Sequence, residues 1–436
     1  MAFCQKNTDT LNFSEAAKLI NAMPKDDLTT DVTATLPVFA DVETAANRIK
    51  DRVVRTPVIH AQKLSSLTGA EIWIKLENLQ HTGAFKERGA LNKLLSLTET
   101  ERAAGVIAAS AGNHSQGVAR HAAILGVSST IVMPETTPDT KVTQTRALGA
   151  EVILHGEDFD TASAYAREYQ HAHGLVFIHP FDDPAVIAGQ GTIALEMIED
   201  GPGFDAFLVP IGGGGLISGM ALAIKEKAPA AQIIGVQTEL FPSMANALDG
   251  GTRETGGNTL AEGIAVHHAG ELTKAITKNL VDDLVLVDER ILERSLSLLM
   301  MEQKLLAEGA GAAGLAAILS DPDRFKGKTV GLVLCGGNID ARLLSMILMR
   351  DLARAGRLAR LRVQLLDKPG QLVRVSTIVA EMGGNVTDVG HHRTYSDLPA
   401  KMTFMDLTLD TQGKDHLDRI IAALRENGYQ VDIADY

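Results

Sequence analysis

An amine becomes a nucleophile once it sheds its proton, and Lys86 stands where the chain favours that. The stretch Glu77 to Ala90 carries it just after a glycine-containing turn. Ahead of it Glu71 to Leu76 alternates like a strand, and behind it Ala90, Leu91, Leu94 and Leu95 keep the spacing of a helix face. Strand-to-helix junctions aim side chains and backbone N–H groups into the crevice at the carboxyl ends of strands, where open α/β sheets bind ligands. A lysine partly buried there can condense with a carbonyl group as a Schiff base. Taken alone, Lys86 reads as a surface residue of an amphipathic helix. Three further segments change that reading.

The apolar run Ala206 to Ile211 enters four glycines, Gly212, Gly213, Gly214 and Gly215, before helical periodicity resumes at Leu216. Such a loop brings backbone N–H groups and the positive end of a helix to an anion, and reads as a phosphate cradle. No Gly-Lys-Ser or Gly-Lys-Thr follows, which argues against a nucleoside triphosphate. Between the strand-like Gly105 to Ala109 and a helix near His114 lies Ser110-Ala111-Gly112-Asn113-His114-Ser115-Gln116-Gly117. Its small residues leave N–H groups open to a carboxylate, and Asn113 offers an amide to a hydroxyl. The fourth segment, Val333 to Asn338, is a hydrophobic strand that ends on Cys335 and a glycine turn. Free cysteine is most often an ordinary buried thiol.

These motifs, with His179 to Thr192, resemble the threonine ammonia-lyases (threonine dehydratases) of the pyridoxal-phosphate fold-type II group, relatives of serine dehydratase and serine racemase. The resemblance runs from about Val38 to Met346 and implies a two-lobed, tryptophan synthase β-like α/β catalytic region. It implies that Lys86 holds pyridoxal 5'-phosphate covalently and removes the substrate α-proton. Phe85 would pack on the ring, Asn113 would bond its hydroxyl, Gly212 to Gly215 would bind the phosphate, and Cys335 would face the ring nitrogen. Ser110, with the backbone near Asn113 and His114, would grip the substrate carboxylate. The implied reaction converts L-threonine to 2-oxobutanoate and ammonia, and L-serine to pyruvate. Serine dehydration or racemisation and cleavage of a hydroxylated aspartate are the neighbouring alternatives. Ala111 disfavours racemisation, because racemising relatives carry a serine there; Gln237 stands where relatives with a divalent-cation site carry a glutamate, so no metal is assigned.

Two other classes leave something unexplained. A nicotinamide-dependent oxidoreductase would use Gly213, Gly215 and an acid near Glu239, but leaves the Lys86 motif without a role. A silent amino-acid sensor requires the cofactor to be absent. Gly309 to Gly314 matches a dinucleotide fingerprint literally, yet follows a helical run rather than a strand and reads as close helix packing. The adjacent pairs His267-His268 and His391-His392 diverge on a helix or strand, an arrangement that rarely shares a metal, and read as solvated or capping histidines.

The elements that must hold these groups fill a chain of 436 residues, enough for about three domains. Met1 to Pro37 reads as an extension, with a helical pattern over Phe13 to Met23. Val38 to Met346 alternates strands and helices as in a doubly wound sheet, with a smaller lobe at roughly 105–179. A basic linker, 347–358, follows; Arg350, Arg354, Arg357, Arg360 and Arg362 read as a solvated face. Residues 359–436 read strand, helix, strand, strand, helix, strand, and resemble an ACT regulatory domain of ferredoxin-like βαββαβ fold. That resemblance implies an amino-acid effector near Gly384 and Asn385 and a homo-oligomer, a dimer or tetramer. Its alternative is a dimerisation module without a ligand. A net charge of -13 argues against nucleic acid. No apolar run approaches the ~18 residues of a membrane span, and Met1 to Phe13 has no signal-peptide core, so the expected compartment is the cytoplasm.

Overall fold

The computed structural model describes residues 36–392 and 398–434. The helical pattern at Phe13 to Met23 therefore lies outside the described residues. The chain divides into two compact units at Asn338/Ile339.

The first unit contains, in chain order, β1 (Val58–His60), β2 (Glu71–Leu76), β3 (Val106–Ala109), β4 (Ser129–Met133), β5 (Glu151–Leu154), β6 (Val176–Phe177), β7 (Ala206–Pro210), β8 (Gln232–Thr238), β9 (Asp283–Val287) and β10 (Thr329–Leu334). They form two sheets. The larger runs β1-β2-β10-β7-β8-β9 and is parallel except for β1; the smaller runs β5-β4-β3-β6 and is parallel throughout. Every residue of β3, β4 and β7 is buried, as continuous apolar runs require when helices cover both faces. The smaller sheet is built entirely within Val106 to Phe177, and its core joins Val106, Ala108 and Ile131 to Val118 and Ala122 of the Asn113–Leu125 helix.

A buried ionic network underlies the Lys86–Ser96 helix. The Arg88 guanidinium donates to both Glu77 oxygens and both Glu196 oxygens at 2.8 Å, while Lys75 Nζ reaches Glu196 at 2.5 Å and the Thr56 carbonyl at 2.6 Å. Arg88, Lys75 and Glu77 have no exposed surface. Burial alone would raise the Glu77 pKa, but Arg88 and Lys75 hold it below the ordinary carboxylate range. Two cations thus meet two anions, which ties β2 and the Pro184–Asp200 helix to the helix that begins at Lys86.

The second unit opens with the helix Ala341–Arg354 and continues as β11 (Leu358–Leu366), the helix Gln371–Glu381, β12 (Asn385–His392), β13 (Met402–Asp410), the helix Lys414–Glu426 and β14 (Gln430–Ile433). The antiparallel order β12-β13-β11-β14 is the ferredoxin-like arrangement expected. Leu361, Val363 and Leu365 point to the helices, so Arg360 and Arg362 fall on the opposite face. Both arginines are exposed, as a solvated face requires, but they stand on β11 and not on a linker: both bond Asp406 of β13, which His392 also approaches at 3.3 Å and which is only 3% exposed. Gly383 and Gly384 end the Gln371–Glu381 helix by bonding the Ala380 and Val379 carbonyls, and Asn385 opens β12 as an exposed residue. Among the described residues no helix is long and apolar enough to cross a membrane.

Candidate active site

Lys86 is the first residue of its helix, and the turn before it is laced to the end of β10. Phe85 N donates to Cys335 O at 3.0 Å, and Gly337 N to Gly83 O at 2.9 Å. Gly83 has φ +72°, and a Cβ there would lie 2.7 Å from Asn338 Oδ1, so both backbone and space call for glycine. Lys86 is half-buried, and its Nζ donates to the Pro180 carbonyl at 2.8 Å. Burial brings the amine down to about 8, against a weaker upward pull from the Glu308 carboxylate. The amine therefore gives up its proton far more readily than a free lysine, although most of it is still protonated at pH 7.

The four glycines turn β7 into the Gly215–Lys227 helix. Gly214 has φ +98°, and a Cβ there would fall 2.6 Å from Met244 Cε. A Cβ on Gly213 would enter the Phe181 ring at 2.4 Å. Phe181 directly follows Pro180, whose carbonyl holds the lysine, so one short segment connects the amine to the loop. Asp182 completes that segment by accepting Glu271 N at 3.0 Å and Thr273 N at 3.1 Å, capping the Glu271–Leu280 helix. Thr273 Oγ1 in turn donates to Gly213 O at 2.6 Å. The loop is thereby fixed from both sides, with the positive end of a helix behind it.

Ser110 lies just beyond β3, and its Oγ accepts Gly112 N at 3.2 Å. The Asn113–Leu125 helix then starts at Gly112 with no side-chain cap. The His114 ring turns inward: its Nε2 donates to Ile178 O at 2.8 Å, and burial, with Lys86 adding to it, lowers its pKa to about 3. His114 contributes a neutral buried ring, so only its backbone remains for a carboxylate. Cys335 is 2% exposed, and burial pushes its thiol up, which keeps it uncharged. Asn113 Nδ2 donates to the two oxygens of Glu308 at 2.9 and 3.1 Å. Glu308 was not among the expected site residues. Its only local signal is its place immediately before Gly309 to Gly314, and a Cβ at Gly309 would lie 2.1 Å from Leu260 O, so that helix does pack closely.

Gln237 is occupied structurally: its amide donates to Phe241 O and Ser243 Oγ, and its oxygen accepts Ala245 N. Among the described residues no cluster of three His, Cys, Asp or Glu side chains suits a metal ion. Ala111 is half-buried against the core of the smaller sheet.

A partly neutral lysine amine calls for a carbonyl, and a glycine loop at a helix start calls for a phosphate. One small molecule bearing both groups satisfies the pair, which defines the class as a fold-type II pyridoxal-phosphate enzyme. The model of the family "Pyridoxal-phosphate dependent enzyme" matches residues 49–336, and that of the ACT domain matches 359–426. An L-threonine ammonia-lyase of Thermotoga maritima is 47% identical over 395 residues, covering 90% of this chain and 98% of the relative. Among solved structures, the processed threonine deaminase isoform 2 of Solanum lycopersicum has a TM-score of 0.68 at 34% identity, covering 77% of this chain and 94% of that one. Maize serine racemase has a TM-score of 0.68 at 32% identity, covering 73% and 99%. The chain belongs to the L-threonine ammonia-lyase family of pyridoxal-phosphate-dependent enzymes, with a carboxyl-terminal ACT domain.

Proposed function

We propose that this protein deaminates L-threonine to 2-oxobutanoate and ammonia, and L-serine to pyruvate. The observation that carries the reading is the Lys86 amine, held by Pro180 O at 2.8 Å and lowered to about 8 by burial. Lys86 would serve as the attachment point and as the base that takes the substrate α-proton. Bound there, pyridoxal phosphate supplies an electron sink for negative charge at the α-carbon. The uncharged Cys335 thiol would face the ring nitrogen and leave it unprotonated, so the sink would be a mild one. Phe85 would pack on the ring, Asn113 would bond its hydroxyl, Gly212 to Gly215 would hold the phosphate, and Ser110 with the backbone at Asn113 and His114 would take the substrate carboxylate. Loss of the α-proton and of the β-hydroxyl as water gives an enamine; its tautomer hydrolyses to the 2-oxo acid and ammonia, so one water leaves and one is consumed.

Ala111 supports elimination over racemisation, since a methyl group has no proton to return to the face opposite Lys86. Residues 359–436, in this reading, bind an amino acid where two copies meet, at Gly384 and Asn385, in a cytoplasmic homo-oligomer. The decisive experiment is Lys86→Ala. It should abolish 2-oxobutanoate formation from L-threonine, by at least about 10³-fold, with an unchanged far-UV circular dichroism spectrum. Near-normal turnover in a folded Lys86→Ala protein sinks the assignment.

A further inference from the structure

Asn113 does not stand alone in the cleft. Its Oδ1 accepts Asn338 Nδ2 at 2.7 Å, Asn338 Nδ2 also donates to Thr82 O at 2.7 Å, and Asn113 Nδ2 donates to Glu308. The chain of bonds thus runs from the turn before Lys86, through Asn338 and Asn113, to the carboxylate. This fixes the amide's orientation: rotated by half a turn, it would set NH₂ against NH₂ at Asn338 and oxygen against carboxylate at Glu308. A primary amide has two hydrogens. The two Glu308 oxygens belong to one carboxylate and lie too close together to take both, so they share one and leave the other for a ligand.

The residue is held by its own backbone, and glycines make room for its carboxylate. Glu308 N donates to Gly336 O at 3.0 Å, a Cβ on Gly336 would lie 2.4 Å from Glu308 Oε1, and one on Gly263 would lie 3.3 Å away. No larger residue at 336 leaves room for it. We propose that Glu308 is a positioning residue for the cofactor: with Asn338 it locks the Asn113 side chain so that the second amide hydrogen is presented to the cofactor's ring hydroxyl. This rests on the placement of pyridoxal phosphate at Lys86.

Charge around Glu308 makes the lock sensitive to pH. The groups facing it are Lys86 at its helix start, Cys335 at the end of β10, Lys141 of the Asp139–Ala147 helix, and Glu262, which is ion-paired to Lys141 at 3.0 Å. Burial raises the Glu308 carboxyl to about 7, with the Asn113 bond pulling it down. The ionised carboxylate accepts firmly from Asn113; the protonated acid accepts less well and carries no charge beside the ring.

The test uses full-length protein loaded with pyridoxal phosphate, and compares wild type with Glu308→Gln, Glu308→Ala, Asn113→Ala and the Glu308→Ala/Asn113→Ala double variant. Cofactor Kd and the visible absorption band are measured from pH 6 to 9. Glu308→Ala should weaken cofactor binding roughly threefold to tenfold, the size of one hydrogen bond, and the double variant should be no weaker than Asn113→Ala alone. Glu308→Gln keeps an accepting oxygen and the same volume, so it should retain most of the affinity while abolishing the spectral change that wild type shows across pH 7. Additive losses in the double variant, or a wild-type pH profile in Glu308→Gln, overturn the role of Glu308. A wild-type protein without any visible band overturns the cofactor placement, and with it this proposal.

Discussion

At the scale of single residues, the same force acts in opposite directions on two groups of one cleft. Burial disfavours charge, so it lowers the Lys86 amine from 10.5 to about 8 and raises the Glu308 carboxyl from 4.5 to about 7. The consequence for Lys86 can be worked out with its sign. Only the neutral amine attacks a carbonyl, so cofactor uptake should accelerate as pH rises through about 8 and level off about a unit above, as read by stopped-flow visible absorbance. Stability follows the same ionisation. Below pH 8 both folded and unfolded chains carry the charged lysine, and the fold bears the cost of burying it. Between about 8 and 10.5 the folded amine is neutral while the unfolded one still binds a proton, so stability gained from deprotonation rises with pH. Lys86→Met has nothing to titrate. Without cofactor it should be more stable than wild type at pH 7 by about 1–2 kcal/mol, after allowance for the partial exposure of the lysine, with the gap closing toward pH 10.5. A gap independent of pH contradicts the assigned shift.

At the scale of elements, what could be read from sequence was whatever lies within one turn of chain. Lys86 after its glycine turn, the four glycines between β7 and its helix, and the alternation that became β11 to β14 are all local patterns, and each set an element where it was expected. The pairings that cross the chain were not legible. Asn113 and Glu308 are 195 positions apart, and nothing in either neighbourhood names the other. Arg360 and Arg362 read as linker charge because their partner, Asp406, sits on a strand whose register only the sheet defines. The same blindness covers Arg88, which reads as an ordinary charged position on a helix and is in fact sealed with Glu77 and Glu196. Removing one member of a buried ion cluster strands the others. Arg88→Met should therefore cost about 3–5 kcal/mol by urea denaturation, whereas Lys141→Ala, which breaks the exposed pair with Glu262, should cost less than about 1 kcal/mol. Equal costs would mean that Arg88 is less sealed than its burial indicates.

At the scale of the whole molecule, the division at Asn338/Ile339 places the helix Ala341–Arg354 with the carboxyl-terminal unit. A truncation that tests regulation therefore belongs after Asn338; one after Arg357 would keep that helix while removing the strand that follows it. An effector acts only through unequal affinity for two arrangements of the protein, so its binding and the binding of threonine must share one coupling energy. Isoleucine or valine should bind full-length protein and shift threonine affinity by about 5-fold or more, within the usual range of such couplings. Asn385→Ala should weaken effector binding while leaving unregulated turnover unchanged, because Asn385 opens β12 on the exposed edge of a unit that contains none of the Lys86 machinery. Truncation after Asn338 should leave deamination in place and abolish the response. Isothermal calorimetry with isoleucine, valine and threonine, run beside rate measurements on the full-length and truncated proteins, separates the two roles open to the ACT unit. Heat and rate responses that vanish together on truncation identify it as the sensor; no heat from any of the three in the full-length protein leaves it an assembly module.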